Sequence, residues 1–125
     1  MPNPTTLAGL LETARRRLDR IAPDRLQDEM DAGALVVDVR DSALRHEQGA
    51  LPGARVIDLT ILEWRLAPSS ENRDVDLDPD QRVVLVCSEG FSSSLAAARL
   101  QDLGIVNATD LEGGFKAWDR WRRSV

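Results

Sequence analysis

The fold class that this chain predicts is a parallel α/β sheet with helices on both faces, and three observations predict it. Apolar runs of strand length recur, at Ala34-Leu35-Val36-Val37-Asp38-Val39 and at Val83-Val84-Leu85-Val86. Near-continuous apolarity in so short a run suits a strand buried on both faces. Segments with helical spacing alternate with those runs, which favours parallel pairing through helical crossovers. Glycine and proline punctuate the connections, at Pro23, Gly33, Pro52-Gly53, Gly104 and Gly113-Gly114.

Each element follows in order. Leu7, Leu10, Leu11, Ala14, Leu18 and Ile21 recur at helical spacing and predict an amphipathic helix over Thr6 to Ile21. Arg15, Arg16, Arg17 and Arg20 fall largely off its apolar face. They read as a solvated face, with contact to an anionic surface or partner as the competing reading. Pro23 ends this element, and Asp24 can cap a second helix to about Asp31. The first strand is Ala34 to Val39, followed by a loop at Arg40-Asp41-Ser42 and a short helix near Ala43 to Gln48. Arg55-Val56-Ile57 is a short strand, and Leu59 to Leu66 is a helix candidate. Pro68 to Asp80 is polar and reads as an exposed loop. A strand over Arg82 to Val86, a helix over Ser93 to Leu103, a short strand over Asn107 to Leu111 and a closing helix from Phe115 to about Arg122 complete the pattern.

A chain of 125 residues fits one domain with a substantial core. The formal net charge of −5 argues against nucleic-acid binding. No apolar run approaches the ~20 residues of a membrane span, so no membrane partner is expected. The segment Met1-Pro2-Asn3-Pro4-Thr5 lacks a basic leader pattern, and one cysteine cannot form an internal disulfide. A reducing, cytoplasmic location is expected.

That single cysteine, Cys87, stands between the Val83–Val86 run and Ser88-Glu89-Gly90-Phe91-Ser92-Ser93-Ser94, which leads into the helical Leu95-Ala96-Ala97-Ala98-Arg99-Leu100. A strand–loop–helix of this kind can turn backbone N–H groups over one atom, with the helix N-terminus adding partial positive charge. A thiolate or persulfide is favoured there. Gly90 supplies backbone freedom at the loop apex. Ser92, Ser93 and Ser94 can donate hydrogen bonds to the sulfur, and helix capping accounts for one of them equally well.

At this point the chain resembles the rhodanese-like sulfurtransferase family. Val37-Asp38-Val39-Arg40 looks like the family's Asp-x-Arg segment, and His46-Glu47-Gln48-Gly49-Ala50-Leu51-Pro52-Gly53-Ala54 like its His-x-x-Gly-x-Ile-Pro-Gly-Ala segment. Cys87-Ser88-Glu89-Gly90-Phe91-Ser92-Ser93 is similar to the active loop, Cys-x-x-Gly-x-Arg-Ser. Leu111-Glu112-Gly113-Gly114-Phe115-Lys116-Ala117-Trp118 resembles the closing Leu-x-Gly-Gly-x-x-x-Trp. Their joint order and spacing are specific. The resemblance runs from about Ile21 to Trp121, which divides the chain into an N-terminal helical extension, 1–21, and a rhodanese-like domain, 22–125.

The resemblance implies a three-layer fold with a central parallel sheet of five strands flanked by helices. It implies a sulfurtransferase in which Cys87 takes a sulfane sulfur from thiosulfate or a persulfide and passes it to a thiol or protein acceptor. Ser88, Glu89, Gly90, Phe91, Ser92 and Ser93 would form the substrate-binding loop. Asp38 and Arg40 would support it as an ion pair or loop anchor. His46 would belong to a structural turn rather than to a Cys–His dyad, and Gly113-Gly114 reads as a tight turn rather than a phosphate loop. Trp64-Arg65 falls, by resemblance, beside the site mouth, where Arg65 would steer an anionic donor; an exposed arginine on a loop-proximal helix is the equal alternative. Neither a metal nor another cofactor is called for, and a monomer or weak dimer is expected.

One departure bears on substrate. Many members carry arginine where Ser92 stands, and Glu89 adds a negative charge to the loop. Both make the site less favourable for a dianion such as thiosulfate and raise the Cys87 pKa relative to a more basic loop. A phosphatase of related fold would need Cys-x5-Arg, but Ser93 holds that position and no arginine follows until Arg99. A non-catalytic binding or regulatory module of the same fold is the alternative that remains.

Overall fold

A computed structural model of the chain describes residues 6–125. Helix α1, Leu7–Arg15, is capped by the Thr6 hydroxyl, which accepts from the Gly9 N–H at 2.9 Å. Helices α2, Leu26–Asp31, α3, Ser42–Gln48, and α4, Leu62–Leu66, lie around strands β1, Leu35–Asp38, and β2, Arg55–Val56. Strand β3, Val83–Val86, leads to α5, Ser92–Asp102; strand β4, Ala108–Asp110, leads to α6, Gly114–Ser124.

All pairings are parallel, in the order β2-β1-β3-β4. The order reverses between β1 and β3, so their C-terminal ends diverge into loops that leave a crevice. Along β3 the side chains alternate between layers. Val83, Leu85 and Cys87 join a cluster with Leu62, Leu66, Ala96 and Leu100, beneath α4 and α5. Val84 and Val86 join Ile21, Leu26, Leu111 and Phe115 beneath α2 and α6. This double burial is why β3 contains no polar residue. Each fully buried Val or Leu contributes about 1.5–3 kcal/mol.

Two expectations are corrected. The sheet has four strands rather than five; the fifth position is a single parallel bridge between Ile21 and Leu111. Ile21 N–H donates to the Asp110 carbonyl at 3.0 Å, and Glu112 N–H to the Ile21 carbonyl at 2.8 Å. Pro23 offers no N–H to extend that ladder and begins a 3₁₀ turn over Pro23–Arg25. The first helix also ends at Arg15, not Ile21. Leu18 and Ile21 keep helical spacing, but Ile21 must be extended to meet Leu111. The helix therefore closes through tight bonds from Arg17 N–H to Ala14 and from Leu18 N–H to Arg15, both 3.1 Å. The stretch over residues 67–82 is irregular, with Val75 and Leu77 tucked against the core. No helix among the described residues is long and apolar enough to cross a membrane.

Candidate active site

Cys87 follows the last residue of β3 and forms part of the wall of a cavity of about 460 Å³. The cavity lies over the β1 and β3 ends, with Val39, Arg40 and Asp41 on one side and Ser88, Glu89, Phe91 and Ser92 on the other. Leu59 and Thr60 close a further side.

The sulfur occupies the place of a helix cap. Phe91 stands at the α5 N-cap and makes no side-chain capping bond. Cys87 Sγ instead accepts from the Gly90 N–H at 3.1 Å and from the Ser93 N–H at 3.4 Å. It also lies 3.2 Å from the Ser93 hydroxyl. An anion here meets two N–H dipoles and the positive end of an 11-residue helix. Burial alone pushes the thiol pKa up. Hydrogen bonds from the Ser93 and Ser92 hydroxyls and from the Ser93 and Gly90 N–H groups outweigh it and bring the pKa below its ordinary value.

The three loop serines divide their tasks, and none is the α5 cap. Ser92 lines the cavity. Ser93 is buried between Cys87 and Asp110, donating to Asp110 Oδ2 at 2.7 Å. Ser94 donates to the same oxygen at 2.8 Å.

Close packing sets the shape of the loop. Gly90 has φ +85°, and a Cβ there would lie 2.8 Å from the Gly113 nitrogen. Gly114 is tighter still: a Cβ would meet the Cys87 carbonyl oxygen at 2.5 Å. The first turn of α6 then holds the loop from below, with Phe115 N–H donating to the Cys87 carbonyl at 2.8 Å and Lys116 N–H to the Ser88 carbonyl at 3.1 Å. Gly113-Gly114 is thus a tight turn that doubles as a platform for the cysteine loop.

Asp38 and Arg40 form a buried two-pronged pair at 2.9 and 2.7 Å. Arg40 also donates to the Gly49 carbonyl and to Gln48 Oε1, and its guanidinium lies 3.9 Å from the Phe115 ring centre. Gln48 in turn donates to the Ser88 hydroxyl at 2.8 Å. This chain of contacts ties β1, α3 and the cysteine loop together and leaves Arg40 little free charge. His46 is exposed on α3 and does not line the cavity.

The site mouth is acidic. Asp41 and Asp58 line it together with Glu89, which Lys116 approaches at 3.6 Å. The Thr60 N–H and hydroxyl hold Asp58 below the usual carboxylate range. The expected role of Arg65 is not found. Its guanidinium is drawn toward the Pro68–Asp80 segment by Asp74 at 3.6 Å and the Asn72 carbonyl at 3.2 Å, and it does not line the cavity. Trp64 borders a separate depression with Ala67, Ser70 and Leu103.

Two functional-site residues escaped the sequence reading. Arg20 pairs with buried Asp110 at 2.9 and 3.3 Å and donates to the Gly90 carbonyl at 3.2 Å. Arg15 donates to the same carbonyl at 2.8 Å and to Ser94 Oγ at 3.1 Å. Arg15 and Arg20 are therefore docked against the loop, whereas Arg16 and Arg17 lie on a solvated face, in exposed pairs with Glu12 and Asp102. The one available signal was Asp110, a carboxylate ending an otherwise uncharged strand and needing a cation.

Comparison with known proteins bears on these features together. A curated thiosulfate sulfurtransferase GlpE from Pseudomonas fluorescens SBW25 is 34% identical over 100 residues, which cover 79% of this chain and 83% of that protein. The GlpE of Pseudomonas fluorescens Pf-5 is 36% identical over 102 residues, 79% of this chain and 83% of its own. A solved Rhodopseudomonas palustris protein, RPA3614, described as of unknown function and a possible tyrosine phosphatase, superposes with a TM-score of 0.84 at 26% identity. That match covers 98% of this chain and 96% of the other. Human single-domain sulfurtransferase TSTD1 shares the fold, with a TM-score of 0.63 at 22% identity over 81% of this chain and 95% of its own. The sequence pattern of the rhodanese-like domain itself spans residues 22–120, from just after the Ile21 bridge to the last helix and including the cysteine loop, and the chain belongs to that family.

Proposed function

We propose that the protein is a sulfurtransferase that carries one sulfane sulfur on Cys87. The carrying observation is the sulfur at the head of α5, facing a cavity and accepting from the Gly90 and Ser93 N–H groups. The Cys87 thiolate attacks the outer sulfur of thiosulfate; the S–S bond of the donor breaks and sulfite leaves with the bonding pair. With a persulfide donor the leaving group is a thiolate. Cys87 then carries a persulfide, whose terminal sulfur is anionic and is held by loop N–H groups. An acceptor thiolate or cyanide attacks that terminal sulfur, and Cys87 leaves as thiolate.

The cavity's charge supports a preference among donors. Asp41, Asp58 and Glu89 face the mouth, while Arg40 is closed against Asp38. A persulfide, with a single charge at its reacting end, approaches this rim at lower cost than thiosulfate, whose two charges sit on the reacting group itself. The GlpE relatives are named for thiosulfate; we assign this chain the same chemistry with a donor of lower charge at its reacting end.

The acidic rim also favours a second reading, a binding module that retains an inert thiol. Transfer to cyanide separates the two. The sulfurtransferase reading expects thiocyanate from the wild type with glutathione persulfide as donor, and none from Cys87→Ser. Absence of thiocyanate from the wild type with either donor favours the module.

A further inference from the structure

We infer that Arg15 and Arg20, which lie before the family match, are positioning residues for the Cys87 loop: they fix its Gly90 carbonyl and neutralise Asp110, keeping the Ser93 hydroxyl available to the sulfur. The inference rests on reading Cys87 as the sulfur carrier.

The Gly90 carbonyl accepts from two guanidinium groups, Arg15 at 2.8 Å and Arg20 at 3.2 Å. Its peptide is trans, so the Phe91 N–H points the opposite way from that oxygen. Phe91 lines the cavity, whereas neither arginine does. Anchoring the oxygen thus fixes the direction of the Phe91 N–H as well. The same anchor fixes Gly90, whose own N–H meets Cys87 Sγ. Without it, a glycine at the apex has the widest backbone freedom of any residue.

Asp110 supplies the second half of the argument. A hydroxyl has one proton to give. Ser93 gives that proton to Asp110 at 2.7 Å, while accepting from the Cys87 thiol at 3.2 Å. When the thiol ionises, Ser93 must turn its proton to the sulfur, and Asp110 loses a bond. Arg20 makes the loss tolerable, because it already holds both oxygens of this wholly buried carboxylate, and Ser94 stays in place. With Arg20 gone, an uncompensated carboxylate would keep the Ser93 proton and oppose a thiolate one residue away.

The segment is fastened for this task. Arg17 pairs with Asp102 at 2.6 Å, Gln101 donates to the Arg17 carbonyl at 3.0 Å, and Ile21 is bridged to Leu111. Arg15 also lies within electrostatic range of Arg20, Asp110, Cys87 and Glu112. The remaining charges near the thiol are the closed Asp38–Arg40 pair, Asp41 and Asp58 at the mouth, and Glu89 with Lys116. The test leaves all of these unchanged.

The test is the pH profile of Cys87 alkylation by neutral iodoacetamide in the full-length chain. Wild type, Arg15→Ala, Arg20→Ala and Arg20→Lys are compared, with circular dichroism as the check on fold. Arg15→Ala and Arg20→Ala are expected to move the alkylation midpoint to higher pH and to slow alkylation at pH 7 by about three- to tenfold. Arg20→Lys, which keeps the charge beside Asp110, is expected to recover most of that loss. Superimposable profiles in folded variants would overturn the inference. If Arg20→Ala does not fold, Arg15→Ala and Arg20→Lys decide: an unshifted Arg15→Ala profile counts against it, a shifted one with a near-wild-type Arg20→Lys supports it. Shifted profiles in a protein that never gains sulfur from any donor would uphold the arginines' action on the thiol and remove the sulfurtransferase reading.

Discussion

Gly114 lies so close under the Cys87 carbonyl oxygen that a Cβ on it would stand 2.5 Å from that atom. The turn after β4 and the loop after β3 are therefore in backbone contact. The spacing exists because two successive residues, Gly113 and Gly114, have positive φ and no side chain. The Phe115 and Lys116 N–H groups complete the seat.

Gly114→Ala is expected to force this contact apart. Both the left-handed backbone, φ +65°, and the collision with backbone atoms oppose it. A loss of about 2 kcal/mol or more is expected in chemical denaturation, with Cys87 alkylation slowed. Unchanged stability would show that the two loops are not seated on each other.

Ser93 and Asp110 make opposite predictions. Ser93→Ala removes a hydroxyl from the sulfur and should raise the Cys87 pKa by about one unit, the worth of a hydrogen bond to an anion. Asp110→Asn removes a buried negative charge and a competitor for the Ser93 proton, so the pKa should fall. Iodoacetamide alkylation across pH reads both. Shifts in the same direction would contradict a shared Ser93 proton.

Donor charge is tested by Ser92→Arg and Glu89→Gln. Each makes the cavity wall more positive, and each should raise thiosulfate turnover relative to glutathione persulfide turnover. A difference of about 1–2 kcal/mol, tenfold or somewhat more, is expected at low salt. It should shrink as ionic strength rises. An unchanged donor ratio in both variants would show that loop charge does not select the donor.

Stability should depend on pH through Cys87. Its folded pKa lies below its unfolded value, so the native state releases the proton first. The stabilisation is complete above the unfolded thiol pKa of about 8.5. It is lost as pH falls through the folded pKa. Wild type should therefore gain stability relative to Cys87→Ser as pH rises toward about 9. Denaturation midpoints of the two proteins, measured across that range, check the sign; a constant gap would mean an unperturbed thiol.

The β3 strand and the placement of Cys87 between it and α5 were legible because their signals are local. The Val83–Val86 run and the Ser/Gly loop after it can hardly be arranged otherwise than as strand, loop and helix. The end of the first helix was not legible, since Leu18 and Ile21 fit helical spacing while tertiary pairing with Leu111 takes Ile21 into the sheet. Arg65 was placed at the mouth by resemblance, but Asp74 and the Asn72 carbonyl, residues of an irregular segment, engage it elsewhere. The Arg15 and Arg20 contacts span 75 and 90 positions of sequence. No periodicity reports contacts of that range, and an arginine-rich helix face looks the same whether it is solvated or docked.

The central claim is that Cys87 carries the sulfur in transit. Intact-mass spectrometry of the wild type and Cys87→Ser, each incubated with glutathione persulfide and separately with thiosulfate, tests it most directly. The wild type should gain the mass of one sulfur atom, more completely with the persulfide, and lose it on addition of cyanide, while Cys87→Ser gains nothing. A wild type that gains no sulfur from either donor, or a Cys87→Ser variant that gains it equally, would contradict the claim.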